Sequence, residues 1–421
     1  DGADGLNAGG GALYNGHNGK ITDVSGDFIS NSASGTTGKA VGGAIFNQGK
    51  IEKINGSFVD NRADVGGAVF NDYEAEIGSI GGSFVNNSGG ALYNLGKMGD
   101  VRADFVGNSG NAVYNGNRIG NIRGNFSGNR LTDTELNGGI VFNSGSVKSM
   151  TGNFSGNEVS GNSVYGIKGG AVYNYQGTIG NIKGSFDNNR ILAEYAAYGS
   201  AVFNDWDSKI GDITGNFSGN SVQFGSGSVY GGAVYNEGKI GKINGDFVAN
   251  KTSTAESYVY GGAIFNLDTI DTINGNFIGN SVSTSGYYSY AYGGAVHNTS
   301  DSTIGNLHGN FINNFAFSAD SSAYGGAIYN AGNIGSVSGD LIANHTSASG
   351  LLALGGAVYT SSDMTFSAGG KVRTISGNYT EDTKRGKNYN GLFVYKLSSS
   401  LPTITFDTAG GGAWVINDNI E

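Results

Sequence analysis

The sequence predicts an all-β fold, a right-handed parallel β-helix that forms a solenoid of about 13 or more coils. Three observations lead there. A Gly-Gly-Ala-aliphatic-aromatic-Asn hexad, or a near variant, recurs thirteen times, beginning at Gly10, Gly42, Gly66, Gly89, Gly110, Gly138, Gly169, Gly199, Gly231, Gly261, Gly293, Gly325 and Gly355. Twelve of the hexads are followed by a second signature ending in Phe-x-x-Asn, with Leu341 replacing Phe in the last. The steps between hexads run from 21 to 32 residues, the size of one supersecondary unit that buries its apolar face only against its neighbours. Right-handedness follows from the strand-crossover rule.

Each element of the repeat has its own reason. The fourth hexad position is always aliphatic, from Leu13 and Ile45 to Val358, which marks a core position. Side chains alternate across a strand, so Gly43 is expected to share the inward face of Ile45, with Ala44 and Phe46 pointing away. The aromatic position holds Phe, Tyr and once His297, which fits a ring stacked along the coil with its tip near water. The second strand reads Ile54-x-Gly56-x-Phe58, again period two, with Ile51 ahead of a small break. No 3.6-residue pattern appears. The Asn that follows the aromatic and the Asn that ends Phe-x-x-Asn suit sharp bends through left-handed backbone angles, and stacked amides also bond in ladders. The shortest repeat covers roughly 70 Å as extended strand, enough for a coil of three short sides, and thirteen coils at ~4.8 Å make a rod on the order of 60 Å long.

Residues 1–363 are expected to form the repeat β-helix and 364–421 its continuation as further coils or a cap. The second part carries Ile375-Ser-Gly-Asn-Tyr379 and Asn390-Gly-Leu-Phe-Val394. From hexad to Phe the interval is nearly constant at 16 to 18 residues. Length varies mainly between the second Asn and the next Gly-Gly: one residue after Asn87 and Asn108, but ten or more after Asn31, Asn157, Asn220, Asn250, Asn280, Asn314 and Asn344. Insertions gathered at one corner predict a ridge of loops along one edge, commonly the binding face of a solenoid.

Composition narrows the function classes. There are 77 Gly but one Pro, which excludes collagen. Lys plus Arg is 24 against 34 Asp plus Glu, giving −10 with no basic run. Nucleic acid and anionic membrane surfaces are therefore disfavoured as partners. No apolar run approaches the roughly 20 residues of a membrane span, so no membrane insertion of this segment is expected. Cysteine is absent, which removes disulfides and thiolate sites. A chain that starts at Asp1, almost inside its first repeat, reads as a segment of something longer.

The paired Gly-Gly-Ala-[Ile/Leu/Val] and Phe-x-x-Asn motifs, spread over about Gly10 to Tyr359, resemble those of the chlamydial polymorphic membrane proteins and related Gram-negative autotransporter passenger domains. Gly110-Asn111-Ala112, Gly138-Gly139-Ile140 and Gly199-Ser200-Ala201 depart from the motif, and no strand series of an outer-membrane barrel follows. The resemblance implies a secreted or surface-displayed β-helix acting in adhesion and virulence, with a host-cell surface protein or glycan as partner.

A search for chemistry finds no catalytic constellation, and neither a cofactor nor a metal is expected. Asp72, Glu74 and Glu76 lie five coils from Asp205 and Asp207, roughly 24 Å, too far for the pair of carboxylates a glycosidase needs. Asp205 and Asp207 flank Trp206 in what reads as a solvated turn. His17, His297, His308 and His345 are singletons without zinc spacing. An enzyme is therefore disfavoured, although a polysaccharide lyase or glycosidase is the alternative that such a fold also carries.

The ridge is more informative. Tyrosine stands immediately before Gly-Gly at Tyr198, Tyr230, Tyr260, Tyr292 and Tyr324, with Tyr258, Tyr287, Tyr288 and Tyr290 nearby among Ser, Ala and Gly. Tyr with Ser and Gly is the composition of adaptable binding surfaces. Tyr258, Tyr260, Tyr287, Tyr288, Tyr290, Tyr292 and Tyr324 are the candidate binding residues, against the plainer reading of a stacking ladder that covers the corner. An adhesin rod and a structural spacer or self-associating surface fibre both require this uniform repeat.

Overall fold

The computed structural model describes residues 8–35, 38–132, 138–395 and 401–421. It is a parallel β-solenoid of about 13 turns with no helix among the described residues. The coils are numbered here by their hexads, so coil nine begins at Gly231. Among the described residues the hexad strands stack into a 15-stranded sheet, and two further sheets of 10 and 7 strands line the later coils. Register is in step from coil to coil: Val234 pairs with Ile264, Tyr235 with Phe265 and Asn236 with Asn266.

Three columns fill the interior. The aliphatic hexad residue, the isoleucine pair of the second strand (Ile240, Ile243) and the Phe of Phe-x-x-Asn (Phe247) are all buried in one continuous cluster. From Phe28 to Phe311 the Phe rings stack nearly parallel, with centroids 4.6–4.9 Å apart. That spacing equals the distance between paired strands, so the stack adds aromatic contact at no cost in register.

Two buried amide ladders run beside them. In the first, Asn236 Nδ2 donates to Asn266 Oδ1 at 2.8 Å and to the Thr269 carbonyl at 3.2 Å. In the second, the backbone N and Nδ2 of Asn250 both donate to Asn280 Oδ1, at 3.0 and 2.9 Å, while Nδ2 also reaches the Phe217 carbonyl at 2.9 Å. A buried amide without partners would cost about 1–3 kcal/mol; here each is satisfied by its neighbour coil. The first ladder ends where Asn330 donates to Thr360 Oγ1, and the second where Asn378 donates to Asp418 Oδ2. Asp suits that last position, because a carboxylate accepts and need not donate onward.

Several expectations about the repeat are corrected. Ala44 does not point away from Ile45: both lie in the interior. The strand starts only at the aliphatic residue, and the amides of Ala233 and Val234 both bond the Ala263 carbonyl. Alternation therefore fails at that step and two successive side chains face inward. The bend ahead of the strand needs a left-handed residue, which Gly231 supplies at φ 60. The ladder asparagines are not the left-handed residues of the second corner. The residue before them is, as at Asp60, Asn86, Ala249 and Asn313 (φ 53–54). The second strand does not alternate strictly either: Ile51, Ile54 and Phe58 are buried at spacings of three and four. In most coils the strand breaks there, as between Lys239–Asn244 and Phe247–Val248.

The insertions are the largest correction. They are mostly extra strands rather than loops. In coil nine the stretch after Asn250 folds as Lys251–Thr254, a four-residue turn, and Val259–Tyr260. Lys251–Thr254 pairs with Ser221–Phe224 and Ser281–Thr284, and Val259–Tyr260 pairs with its counterparts on both sides. From coil six onward a coil therefore has further walls, while coils three and four pass directly from the second Asn to the next hexad. Beyond residue 363 the stacking goes on: Met364–Ser367 pairs with the preceding coil and with Ile404–Asp407, and Asn390–Val394 extends the hexad sheet.

Candidate functional site

The seven candidate tyrosines divide into three sets, and the first, Tyr260, Tyr292 and Tyr324, continues a column begun by Tyr198 and Tyr230. Tyr198, Tyr230, Tyr260, Tyr292 and Tyr324 form one stacked column with ring centroids 4.9–5.2 Å apart. The column packs edge-on against the outward hexad aromatics: Tyr230 meets Tyr235 at 5.9 Å and Phe265 at 5.0 Å, and Tyr260 meets His297 at 5.1 Å. Phe142, Tyr173, Phe203, Tyr235 and Phe265 thereby make a second apolar cluster outside the bore, with Tyr198, Tyr230 and Tyr260 packed on it. Burial pushes these phenols up, that of Tyr198 to about 12. Tyr260, Tyr292 and Tyr324 are thus wall residues of the solenoid more than presented groups. Tyr258 and Tyr290 start a second, outer stack at 5.4 Å, with Tyr258 the more exposed.

Tyr287 and Tyr288 are different. They are 83% and 77% exposed, their rings 6.2 Å apart at the tip of the coil-ten turn. Tyr288 holds a left-handed φ of 54, uncommon for a bulky residue. The turn is pinned from below: Ser289 is fully buried, its hydroxyl donates to the Gly286 carbonyl, and its own carbonyl accepts from Ser318 Oγ at 2.7 Å. The pair is therefore a fixed aromatic projection.

The expected solvated turn around Trp206 is corrected as well. Asp205 is 1% exposed. Its Oδ2 accepts from the Tyr173 hydroxyl at 2.8 Å and lies 4.0 Å from Lys168 Nζ, and its Oδ1 accepts from the Trp206 amide at 2.9 Å. Glu237 occupies the same offset one coil on, and Tyr235 donates its hydroxyl to Glu237 Oε1 at 2.7 Å. Burial, then the Asp205 carboxylate beside it, raises the Glu237 carboxyl, against the Tyr235 hydrogen bond and Lys168, which lower it. The tip of Tyr235 therefore meets a carboxylate under cover, not water as expected. This carboxylate pair was missed in the sequence because Asp205 and Glu237 are 32 residues apart; aligning the residue after each first-ladder Asn brings them together. Their oxygens are bound by Tyr173, Tyr235 and Lys168, an arrangement that holds the aromatic wall. Trp206 itself is 58% exposed, while Asp207 is left-handed at φ 57.

The remaining acids and histidines spread apart. Asp72 accepts from Gln48 and the Tyr73 amide, and Glu76 pairs with Lys50 at 3.2 Å. His297 is buried between Phe265 and Tyr329 at 4.9 and 4.6 Å. Burial drives its pKa down to about 3. His345 stacks between Phe315 and Tyr379, and His308 bonds Ser338. Among the described residues no three His, Asp or Glu side chains converge as metal ligands.

Fold and surface together define a class of molecule: a ladder-built parallel β-solenoid with an aromatic wall outside its bore. Comparison of the chain with protein-family models, curated proteins and solved structures returns no match.

Proposed function

We propose that the chain is a secreted or cell-surface-displayed autotransporter-type passenger that acts as an adhesin, a stiff rod offering fixed aromatic projections to a host-cell protein or glycan. The observation that carries this reading is the Tyr287–Tyr288 tip, two rings 83% and 77% exposed on a pinned turn. Two large rings exposed side by side on a rigid support offer a partner contact area and hydroxyls at low entropic cost. The repeat's resemblance to adhesive passengers supports the same reading. The test is binding of the purified chain to host cells, comparing wild type with Tyr287→Ser/Tyr288→Ser. Binding should fall while the melting temperature stays within about 2 °C, since neither ring is packed. Undiminished binding by the variant would refute the tip as the site.

One observation favours a second reading, a structural spacer or self-associating fibre. Tyr260, Tyr292 and Tyr324 serve the wall, so three of the seven candidate tyrosines strengthen the rod instead of meeting a ligand. On that reading the chain binds no host cell with any affinity that the tip controls.

A further inference from the structure

The tyrosine wall has a gap. Along the flank of the hexad aromatics the residue before Gly-Gly forms its own row: Gly9, Val41 and Val65 are bridged to one another, and Val41 and Val65 pack beside Phe46, Phe70 and Tyr93. In coils six to eleven the same row is Lys168, Tyr198, Tyr230, Tyr260, Tyr292 and Tyr324. In coils three and four it is missing. Ser88 bridges to Arg62 and to Ser109, and Ser109 to Arg130, so these serines occupy the position just after the ladder Asn, and the chain enters the hexad without supplying a wall residue.

What the gap uncovers is a notch of about 260 Å³, lined by Lys39, Asp64, Gly89, Gly90, Tyr93 and Tyr114 among others. The Tyr93 and Tyr114 rings stack at 4.0 Å, are half-buried and line the notch. The floor is backbone. Gly89 and Gly90 both sit at φ 85, where the hexads of later coils have a single left-handed glycine near 60, as at Gly231. A Cβ on Gly89 would collide with the Ala63 carbonyl, and one on Gly90 would come 2.7 Å from the Asn111 carbonyl. Asp64 is oriented by the Ala40 amide, which donates to its Oδ2 at 2.8 Å and leaves Oδ1 unused by that bond. Lys39 is exposed at the rim.

We propose that this notch binds one uncharged sugar ring at the end of a glycan. The size falls below the ~300–1,000 Å³ of sites for larger ligands, which suits a single ring and not a chain of them. Phenol edges and glycine backbone meet the apolar C–H patches of a sugar, while a carboxylate and an ammonium take its hydroxyls in charge-assisted hydrogen bonds. The two charges cancel, which favours a ligand without net charge. The inference rests on the adhesin reading only for the source of the glycan; the site stands on its own geometry.

The test is a titration of the full chain with methyl glycosides of neutral hexoses and N-acetylhexosamines, followed by ligand-observed NMR and calorimetry. At least one should bind. Lys39→Met/Asp64→Asn should weaken it by about tenfold or more, with circular dichroism and melting unchanged. Tyr114→Phe should weaken it less, and Tyr287→Ser/Tyr288→Ser should leave sugar affinity unaltered. Binding of no neutral sugar, binding that the double variant leaves intact, or a preference for acidic sugars overturns the proposal. Cell binding through the tip without sugar binding defeats the notch and spares the adhesin. Sugar binding without cell binding does the reverse. Loss of cell binding in Lys39→Met/Asp64→Asn with no sugar bound assigns the notch to a protein partner and overturns the sugar.

Discussion

Coils three to five and coils eight to twelve share one interior and differ in what covers it outside. Leu92 and Val234 occupy the same inward row, Phe105 and Phe247 the same stack, and Asn94 and Asn236 the same ladder. The later coils add two strand rows and a tyrosine column, so that Tyr235 is 4% exposed, while Tyr114 at the matching position remains half-buried and lines a notch. Length in this repeat therefore does not tune the core. Where the wall residue is missing, it leaves the outward aromatics Tyr93 and Tyr114 half-buried.

The largest effect tests the shared interior. Val234→Asp places an unpaired carboxylate among apolar side chains and should cost over about 4 kcal/mol. Leu92→Asp should cost the same within about 1 kcal/mol if the bore is indifferent to the outer rows. Denaturant melts of both would decide. A much milder Leu92→Asp would show that the short coils are loosely packed, and the comparison would have to be redrawn around the core.

The wall can be read through histidine. His297 is neutral in the fold, its pKa driven from 6.5 to about 3 by burial under Tyr260 and Tyr292. A base whose folded pKa is depressed contributes full stability above the unfolded pKa. That stability is lost as pH falls from about 6.5 towards 3, because the unfolded chain takes up the proton first. At pH 5 the loss should be about 2 kcal/mol. His297→Phe should abolish that part of the acid sensitivity. Tyr114→His, set in the same column where the wall is missing, should titrate nearer the ordinary value by NMR. Equal depression in both would mean that the hexad sheet, and not the tyrosine row, buries the column.

Much of this was legible in the sequence, and the misreadings have one cause. The aliphatic, Phe and Asn columns could be read because each recurs at a fixed offset and meets its own kind one coil away. Ala44 was misplaced because alternation was applied along the chain through a bend where two amides share one carbonyl. The left-handed angle was given to the ladder Asn when its predecessor carries it, since a buried ladder amide needs strand geometry to reach the next coil. Lys251–Thr254 and the stretch around Tyr287 both read as polar, Ser-containing insertions, which predicts loops for both. Only alignment against the coils on either side shows that the first pairs and the second does not. Asp205 and Glu237 escaped for the same reason: contacts in a solenoid run between columns some thirty residues apart.

The smallest expected effect concerns that carboxylate pair, which belongs to the walled region alone. Coils four and five carry Leu95 and Gly116 after the ladder Asn where coils eight and nine carry Asp205 and Glu237. Burial raises the Glu237 carboxyl, and the neighbouring Asp205 adds to the shift. For an acid whose folded pKa is raised, the contribution to stability is fully present below the unfolded value near 4.5 and is lost as pH rises through the folded one. Glu237→Gln keeps an oxygen for the Tyr235 hydroxyl and supplies N–H donors towards Asp205 in place of a second negative charge. The variant should therefore be as stable as wild type at pH 4 and more stable at pH 7, by no more than about 1 kcal/mol. Melting curves at the two pH values measure it. A variant less stable at pH 7 would mean that Lys168 needs both carboxylates, and that the walled coils are held at this corner by ion pairing, not by the aromatic column.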